Sequence, residues 1–360
     1  MNVTDVASSH PFDEFEPIHI RIISVTSKVP ALLSLWGSLY IIYDIVGTYQ
    51  RRQEKLKKAY HRIILGLSIS DCIVSIFGWF ITTWLIPKDY LQDQTVWGNN
   101  GTWGTCDAQG FLVHVGGFCS AYYTALLTFY YLLSVKYEWK EQDFRKKARY
   151  FHGGIWGFAF ISATILLVKG LFNPEIPFCY IQSYPFGCEF ADDIECIRGE
   201  NLLIYQLVLF FGPVCIAFSI LSYSMGALII HARKQETRIM RLSTVVSSPN
   251  ESESRRLSKM VFKRALRYVA AYLIVWFPSA MYLAAILIAK TTPFVKPGLM
   301  LSVLLLMEVL SPLQGLLNAL IYTQSNLLTF CKNTYELIFY PTLQALRKSS
   351  DSGGGPSSEL

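Results

Sequence analysis

Charge is what this chain has least of. Charged residues are 16% of its 360 residues, against about 25% in ordinary soluble domains. Apolar residues are 52%. That balance excludes a soluble globule of ordinary kind. The opening also lacks a secretory leader: residues 1–18 are polar and acidic, with no basic n-region or apolar h-region. The first apolar run is therefore expected to act as the targeting signal. The histidines (His10, His19, His61, His114, His152, His231) are scattered, with no H-x-x-x-H or H-E-x-x-H pair. A zinc enzyme of that kind is thereby excluded. No repeat stands out, so the usual signature of a transporter built from duplicated halves is missing.

What is present is seven long apolar runs, at 22–47, 61–86, 107–135, 151–171, 201–230, 262–289 and 298–323. Each reaches the roughly 20 residues a helix needs to cross a hydrocarbon layer about 30 Å thick. This predicts an all-α membrane protein, a seven-transmembrane helix bundle. The loops alternate in charge. Segments 48–62 and 136–150 hold six Lys/Arg each, and 231–267 holds ten. The opposite side carries Asp13, Glu14, Glu16, Glu189, Asp192, Asp193 and Glu195 instead. Lys/Arg-rich loops stay in the cytoplasm. The expectation is a multi-pass protein of the cell membrane with its N-terminus outside and its C-terminus inside. The net charge of +6 thus reports topology. The partner it implies is the lipid bilayer, and no nucleic acid.

The chain divides into an outer tail (1–21), the bundle (22–323), an amphipathic helix along the inner surface (324–348) and a Ser/Gly/Pro-rich end expected to be disordered (349–360). Glycosylation sequons on the outer side fall at Asn2 and Asn100; a third, Asn250, lies inside and should stay bare. Arg255-Arg256-Leu257-Ser258 reads as a basophilic kinase site at Ser258, and Cys331 as a palmitoylation candidate. Cys106, Cys179, Cys188 and Cys196 all fall outside, where disulfides form, and allow three connectivities. Cys106–Cys179 with Cys188–Cys196 is the favoured one. The first would tie the top of helix three to the second outer loop; the second would close a short acidic loop. Cys72, Cys119 and Cys215 lie in spans and read as small core residues.

An ionisable residue inside a span costs about 2.5–3.5 kcal/mol on insertion scales, so each needs a reason. Asp71 lies deep in helix two and Glu308 at comparable depth in helix seven. Asp71 reads as a polar or cation site linking helices, or as a neutral hydrogen-bonded acid. Glu308 reads as a ligand contact in an outward-facing cavity, or as a polar pair with a neighbouring helix. Asp44 and Lys28 lie nearer the ends of helix one, where snorkelling lowers the cost. Pro213, Pro278 and Pro312 interrupt spans five, six and seven and can hinge them.

The ordered motifs carry a resemblance. Trp276-Phe277-Pro278 resembles the W-x-P of G-protein-coupled receptors, and Asn318-Ala319-Leu320-Ile321-Tyr322 their N-P-x-x-Y, with Ala319 at the proline. Leu67-Ser68-Ile69-Ser70-Asp71 resembles the helix-two L-x-x-x-D. Cys106 matches the disulfide cysteine of helix three, Trp156 the helix-four tryptophan and Pro213 the helix-five proline. More narrowly, Cys106-Asp107-Ala108-Gln109-Gly110-Phe111, Leu133-Ser134-Val135-Lys136 and Pro177-Phe178-Cys179-Tyr180 resemble the cyclic-AMP-receptor family of slime moulds and its plant and protist relatives. The resemblance covers nearly all of 22–330.

It implies a cell-surface receptor that binds an extracellular small-molecule or peptide ligand and signals through a heterotrimeric G protein. It implies that Asp71, Ser120, Trp276 and Asn318 line one polar cavity; with Gln314, which shares a face with Asn318, Asp71, Ser120 and Asn318 could hold a sodium ion or waters, and no other cofactor is expected. Trp276, Pro278 and Tyr322 would act as the switch, and Glu308 and Trp276 would meet the ligand. Two departures stand out. No Asp-Arg-Tyr closes helix three, where Tyr130 and Tyr131 lie instead. Helix seven has no lysine for a Schiff base, which argues against a retinal photoreceptor. A transporter or channel is the alternative; an enzyme is not expected. Cyclic AMP follows from the resemblance alone. The outer cations Lys88, Lys169, Arg198, Lys290 and Lys296 face an acidic loop two, so a cationic or peptide ligand fits at least as well.

Overall fold

A computed structural model describes residues 17–90, 96–175, 177–185, 188–190, 195–242, 262–279, 281, 297–324 and 329. Six helices among them are long and apolar enough to cross a membrane: Ile18–Val46, Ala59–Phe80, Trp103–Lys136, Glu141–Val168, Leu202–His231 and Leu301–Thr323. They are helices one to five and seven. Helix six is described over 262–279. Its first turns carry Lys263, Arg264 and Arg267, so this stretch alone is less apolar than the others.

Several boundaries differ from the apolar runs. Helix one starts at Pro17, so residues 17–21, expected in the outer tail, are helical. It is interrupted at Ser27 and resumes as Lys28–Val46. Helix three starts at Trp103, where Thr102 and Thr105 form a reciprocal capping box. Helix four starts at Glu141, so most of the loop expected at 136–150 is helix. The fold is also not purely helical. Strands Phe172–Pro174 and Cys179–Ile181 pair antiparallel in the second loop of the disulfide end. Asn2, Ser258, Cys331, nearly all of the expected surface helix 324–348 and the end 349–360 lie outside the described residues.

Helix three is the axis. Its buried side chains point all round it, and helices two, four and five pack on it. The other helices keep exposed apolar faces, such as Ile161 and Val168 on helix four and Ile216 and Phe218 on helix five. In a bilayer such faces meet lipid. Cys215 is exposed on one of them, against the expectation of a core residue, whereas Cys119 is buried.

The prolines are accommodated by neighbours. A wide π turn, Leu207–Phe211, precedes Pro213, and Tyr122 of helix three donates to the Pro213 carbonyl at 2.9 Å. Ser311 donates to the Val275 carbonyl at 3.0 Å, beside the turn that Pro278 interrupts. Around Pro312 helix seven narrows to a 3₁₀ turn, Ser311–Leu313. The Gly315 amide beyond it donates to the Ser34 hydroxyl of helix one at 3.0 Å. Backbone groups freed inside a membrane need such partners.

That last contact requires small residues. A Cβ on Gly37 would lie 2.8 Å from the Gly315 carbonyl oxygen and 2.8 Å from the Leu316 Cα. Both obstacles are backbone and cannot swing aside. Gly37→Val should therefore lower stability by about 1–3 kcal/mol through overpacking. Thermal unfolding of the detergent-solubilised chain checks it, and an unchanged Tm would contradict this packing of helix one on helix seven.

Candidate functional site

The bundle's interior centres on Asp71. Helix two carries it inward, and it is buried at 4% exposure. Ser120 of helix three donates its hydroxyl to Asp71 Oδ1 at 2.7 Å. Asn318 of helix seven donates Nδ2 to Oδ2 at 2.8 Å. Gln314, one turn earlier on the same face of helix seven, donates Nε2 to Ser120 Oγ at 2.8 Å. Trp276 of helix six donates its indole N–H to Gln314 Oε1 at 3.2 Å. Five side chains from four helices thus form one continuous hydrogen-bonded path. Asp71, Ser120, Gln314, Asn318 and Trp276, expected around one polar cavity, do meet.

Ser34 and Ser75 extend this region toward helix one: Ser75 donates to Ser34 at 3.0 Å. Sequence reasoning missed them. Their signal was the run of small hydroxyl residues inside helices one and two, which is common in membrane helices.

At the basic end of the bundle a second cluster forms. Asp44 pairs with Lys55, and Tyr322 donates to Asp44 Oδ2 at 2.7 Å. Asp44 is thus held by a cation and a hydroxyl. Tyr60 of helix two lies parallel to Tyr322, with ring centroids 6.3 Å apart. Its hydroxyl meets that of Tyr268 on helix six at 3.1 Å. Tyr131 of helix three tilts on Tyr60 at 6.3 Å, and the Arg264 guanidinium lies 5.5 Å over the Tyr60 ring. Tyr131 thus lies near the basic end of helix three, which itself carries no arginine. Of this cluster only Tyr322 was expected as a switch residue. Tyr60, Tyr268 and Lys55 were missed, because nothing local in a lone tyrosine distinguishes it from a packed aromatic.

At the other end both favoured disulfides are formed, Cys106–Cys179 and Cys188–Cys196. Gln109, fully buried and not anticipated, connects three elements. Its Nε2 donates to the carbonyls of Phe77 (2.8 Å) and Thr82 (2.7 Å), and its Oε1 accepts from the Cys179 amide at 3.0 Å. Thr82 has φ 49°, which an ordinary side chain adopts only when held there. Lys28 adds to that hold. It donates to Phe80 O at 2.7 Å and Thr82 Oγ1 at 3.1 Å, with Trp84 stacked 4.3 Å below its ammonium. Like Asp44, Lys28 is engaged inside the fold. Asn100 is exposed, its side chain donating to the Gly98 carbonyl at 3.3 Å.

Glu308 lies six residues before Gln314 on helix seven. It follows Met307 in the turn that packs on Ile20 and Ile23 of helix one and on Trp79 of helix two. It is fully buried. Neither carboxylate oxygen has a hydrogen-bond partner among the described residues. Ser27 lies beside it, but its hydroxyl donates to the Trp79 carbonyl at 2.9 Å. Among the described residues, the polar pair considered from the sequence is not formed.

The comparisons agree with this geometry. Residues 45–322 match the family model of the 7 transmembrane receptor (rhodopsin family). The chain belongs to that family. The receptor also resembles the crystal structure of squid rhodopsin, with a TM-score of 0.62 at 16% sequence identity, over 98% of this chain and 91% of that one. At that identity the likeness speaks to the fold. No curated protein sequence matches the receptor. Membership makes this chain a multi-pass membrane receptor rather than an enzyme, with ligand and G protein as its general partners.

The Asp71–Asn318 pair gives a direct check. Asn318→Asp would oppose two carboxyl groups, and Asp71→Asn two amides. Each single exchange should cost about 1–3 kcal/mol. The double exchange restores one donor and one acceptor and should recover much of the loss. A double-mutant cycle on thermal stability measures it; additive losses would mean the two side chains do not pair.

Proposed function

We propose that the receptor takes an extracellular ligand at its disulfide end, near Glu308, and passes the change to a heterotrimeric G protein at its basic end. The observation that carries this reading is the path Trp276–Gln314–Ser120–Asp71–Asn318. It ties helix six, which Pro278 can hinge, to helices two, three and seven. A ligand that favours another Trp276 rotamer breaks one bond of the path and biases a two-state bundle. The orientation rests on the basic segments 48–62, 136–150 and 231–267 lying in the cytoplasm.

At the basic end, the Tyr60–Tyr268 bond takes the part that an arginine lock would play. It joins helix two to helix six, so helix six cannot swing out while it holds. Tyr322 leaves or joins the Asp44–Lys55 pair as helix seven moves. Each Asp71 oxygen takes one donor, which leaves lone pairs for a sodium ion or a water. Sodium bound there would favour the closed state. The narrower kinship with cyclic-AMP receptors rests on the motifs around Cys106, Leu133 and Pro177. Glycosylation at Asn2 and Asn100, phosphorylation at Ser258 and palmitoylation at Cys331 remain part of the proposal.

Nucleotide exchange on co-expressed G proteins, read across a ligand panel, tests the reading. Ligand-stimulated exchange is expected from the wild-type chain and not from Asp71→Asn. Substrate flux in liposomes without exchange would replace the receptor by a transporter. Tyr268→Phe removes one net hydrogen bond from the closed state, so basal exchange should rise about two- to tenfold. Replacing sodium by a large organic cation should raise basal exchange in the wild type and leave Asp71→Asn unchanged.

A further inference from the structure

The disulfide end holds a continuous layer of aromatic rings. The hairpin loop lays Phe178 edge-on against Trp79 of helix two, with centroids 5.4 Å apart. Phe178 meets Tyr180 at 6.0 Å, and Tyr180 meets Phe210 of helix five at 5.7 Å. Trp79 lies in a π turn of helix two, Ser75–Phe80, a local widening that is frequent at functional sites. Two carboxylates flank this layer. Glu308 lies in the turn of helix seven that packs on Trp79, and both its oxygens are buried without a partner among the described residues. Glu175 is in the hairpin turn beside Tyr180, where desolvation pushes its pKa up to about 7. Two cations described at this end are engaged elsewhere. Arg198 pairs with Asp107 at 2.5 Å, and Lys28 holds the end of helix two. Neither ion pair found among the described residues involves Glu308 or Glu175.

We infer that the ligand of this receptor is a small organic cation, a protonated amine or quaternary ammonium, taken against the rings of Trp79, Phe178 and Tyr180 with Glu308 and Glu175 as its counter-charges. This rests on the reading above that the disulfide end receives the ligand. Aromatic faces attract a desolvated cation through the ring quadrupole, tryptophan most strongly. A buried carboxylate without a partner is costly, and a cation that enters removes that cost while losing its own water to the rings. An anionic phosphate would meet the reverse: two carboxylates, and an arginine already paired. Phe178 directly precedes the second strand of the hairpin, so its displacement by the guest moves the loop that Cys106–Cys179 and Gln109 fasten to helix three. From there the change reaches the helix that carries Ser120.

The probe is phenyltrimethylammonium, with tert-butylbenzene as its neutral isostere. Both are titrated against the full-length receptor in detergent, read as the shift in Tm and by calorimetry. Saturable binding of the cation alone is expected, weakened about tenfold or more in Glu308→Gln and in Phe178→Leu. Glu308→Gln mimics a neutral structural acid, so an unchanged affinity there would overturn the inference. So would equal binding of the neutral isostere, or no binding of the cation. Should Glu308→Gln fold poorly, Glu175→Gln and Phe178→Leu carry the same test. Neither readout needs a G protein. A receptor that binds the cation without driving exchange would sink the signalling proposal, and one with basal exchange but no cation binding would sink this inference.

Discussion

One buried carboxylate sets the terms for the bundle. Asp71 lies where water is scarce, and each of its oxygens needs a donor. Ser75, one turn further along the same face of helix two, donates to Ser34 instead. Ser120 and Asn318 supply the donors, from helices three and seven, and so fix how close those helices stand. Gln314 then serves Ser120, and Trp276 serves Gln314. The requirement of one side chain thereby becomes the relative placement of four helices. Close approach also explains the small residues around it. Gly37 and Gly315 let helices one and seven touch along their backbones, and Ser34 takes the amide that the break at Pro312 frees.

The two ends solve different problems with different chemistry. The basic end lacks an arginine on helix three and is joined instead by stacked tyrosines and one ion pair, Asp44–Lys55. Neutral hydroxyl bonds are individually weaker than a charged lock. A cluster of that kind is easier to open and less sensitive to salt. The disulfide end is more rigid. Two disulfides, a two-stranded hairpin and the buried Gln109 fasten loop, helix two and helix three together. Glu308 is the exception within it, an ionisable group left without a hydrogen-bond partner among the described residues.

Much of this was legible in the chain, for a reason specific to membranes. Spans must be long and apolar, so the count of seven and the axis of each helix follow from hydropathy. Their ends do not. Helix four begins at Glu141, well before its apolar run, because backbone hydrogen bonds close equally well in the headgroup region. Residues that cost most to bury were also readable. Asp71, Ser120, Gln314 and Asn318 could be grouped from depth and motif, and they meet. The partners of Asp44 and Lys28 could not be read. Snorkelling is the cheapest choice for a lone charge near a helix end, but each has an internal partner brought by another segment.

The sequence alone therefore determined the class of solvent, the number of crossings and which side chains would be expensive to bury, since these depend on composition summed along each helix. Tertiary structure decided who satisfies whom. Tyr60 reaches Tyr268 across 208 positions, and Gln314 reaches Ser120 across 194. Such pairs depend on helix rotation, on a π turn in helix two and on where glycine lets two backbones meet. The aromatic layer near Glu308 has the same origin. Its rings come from helix two, the hairpin loop and helix five, and only the folded bundle sets them side by side.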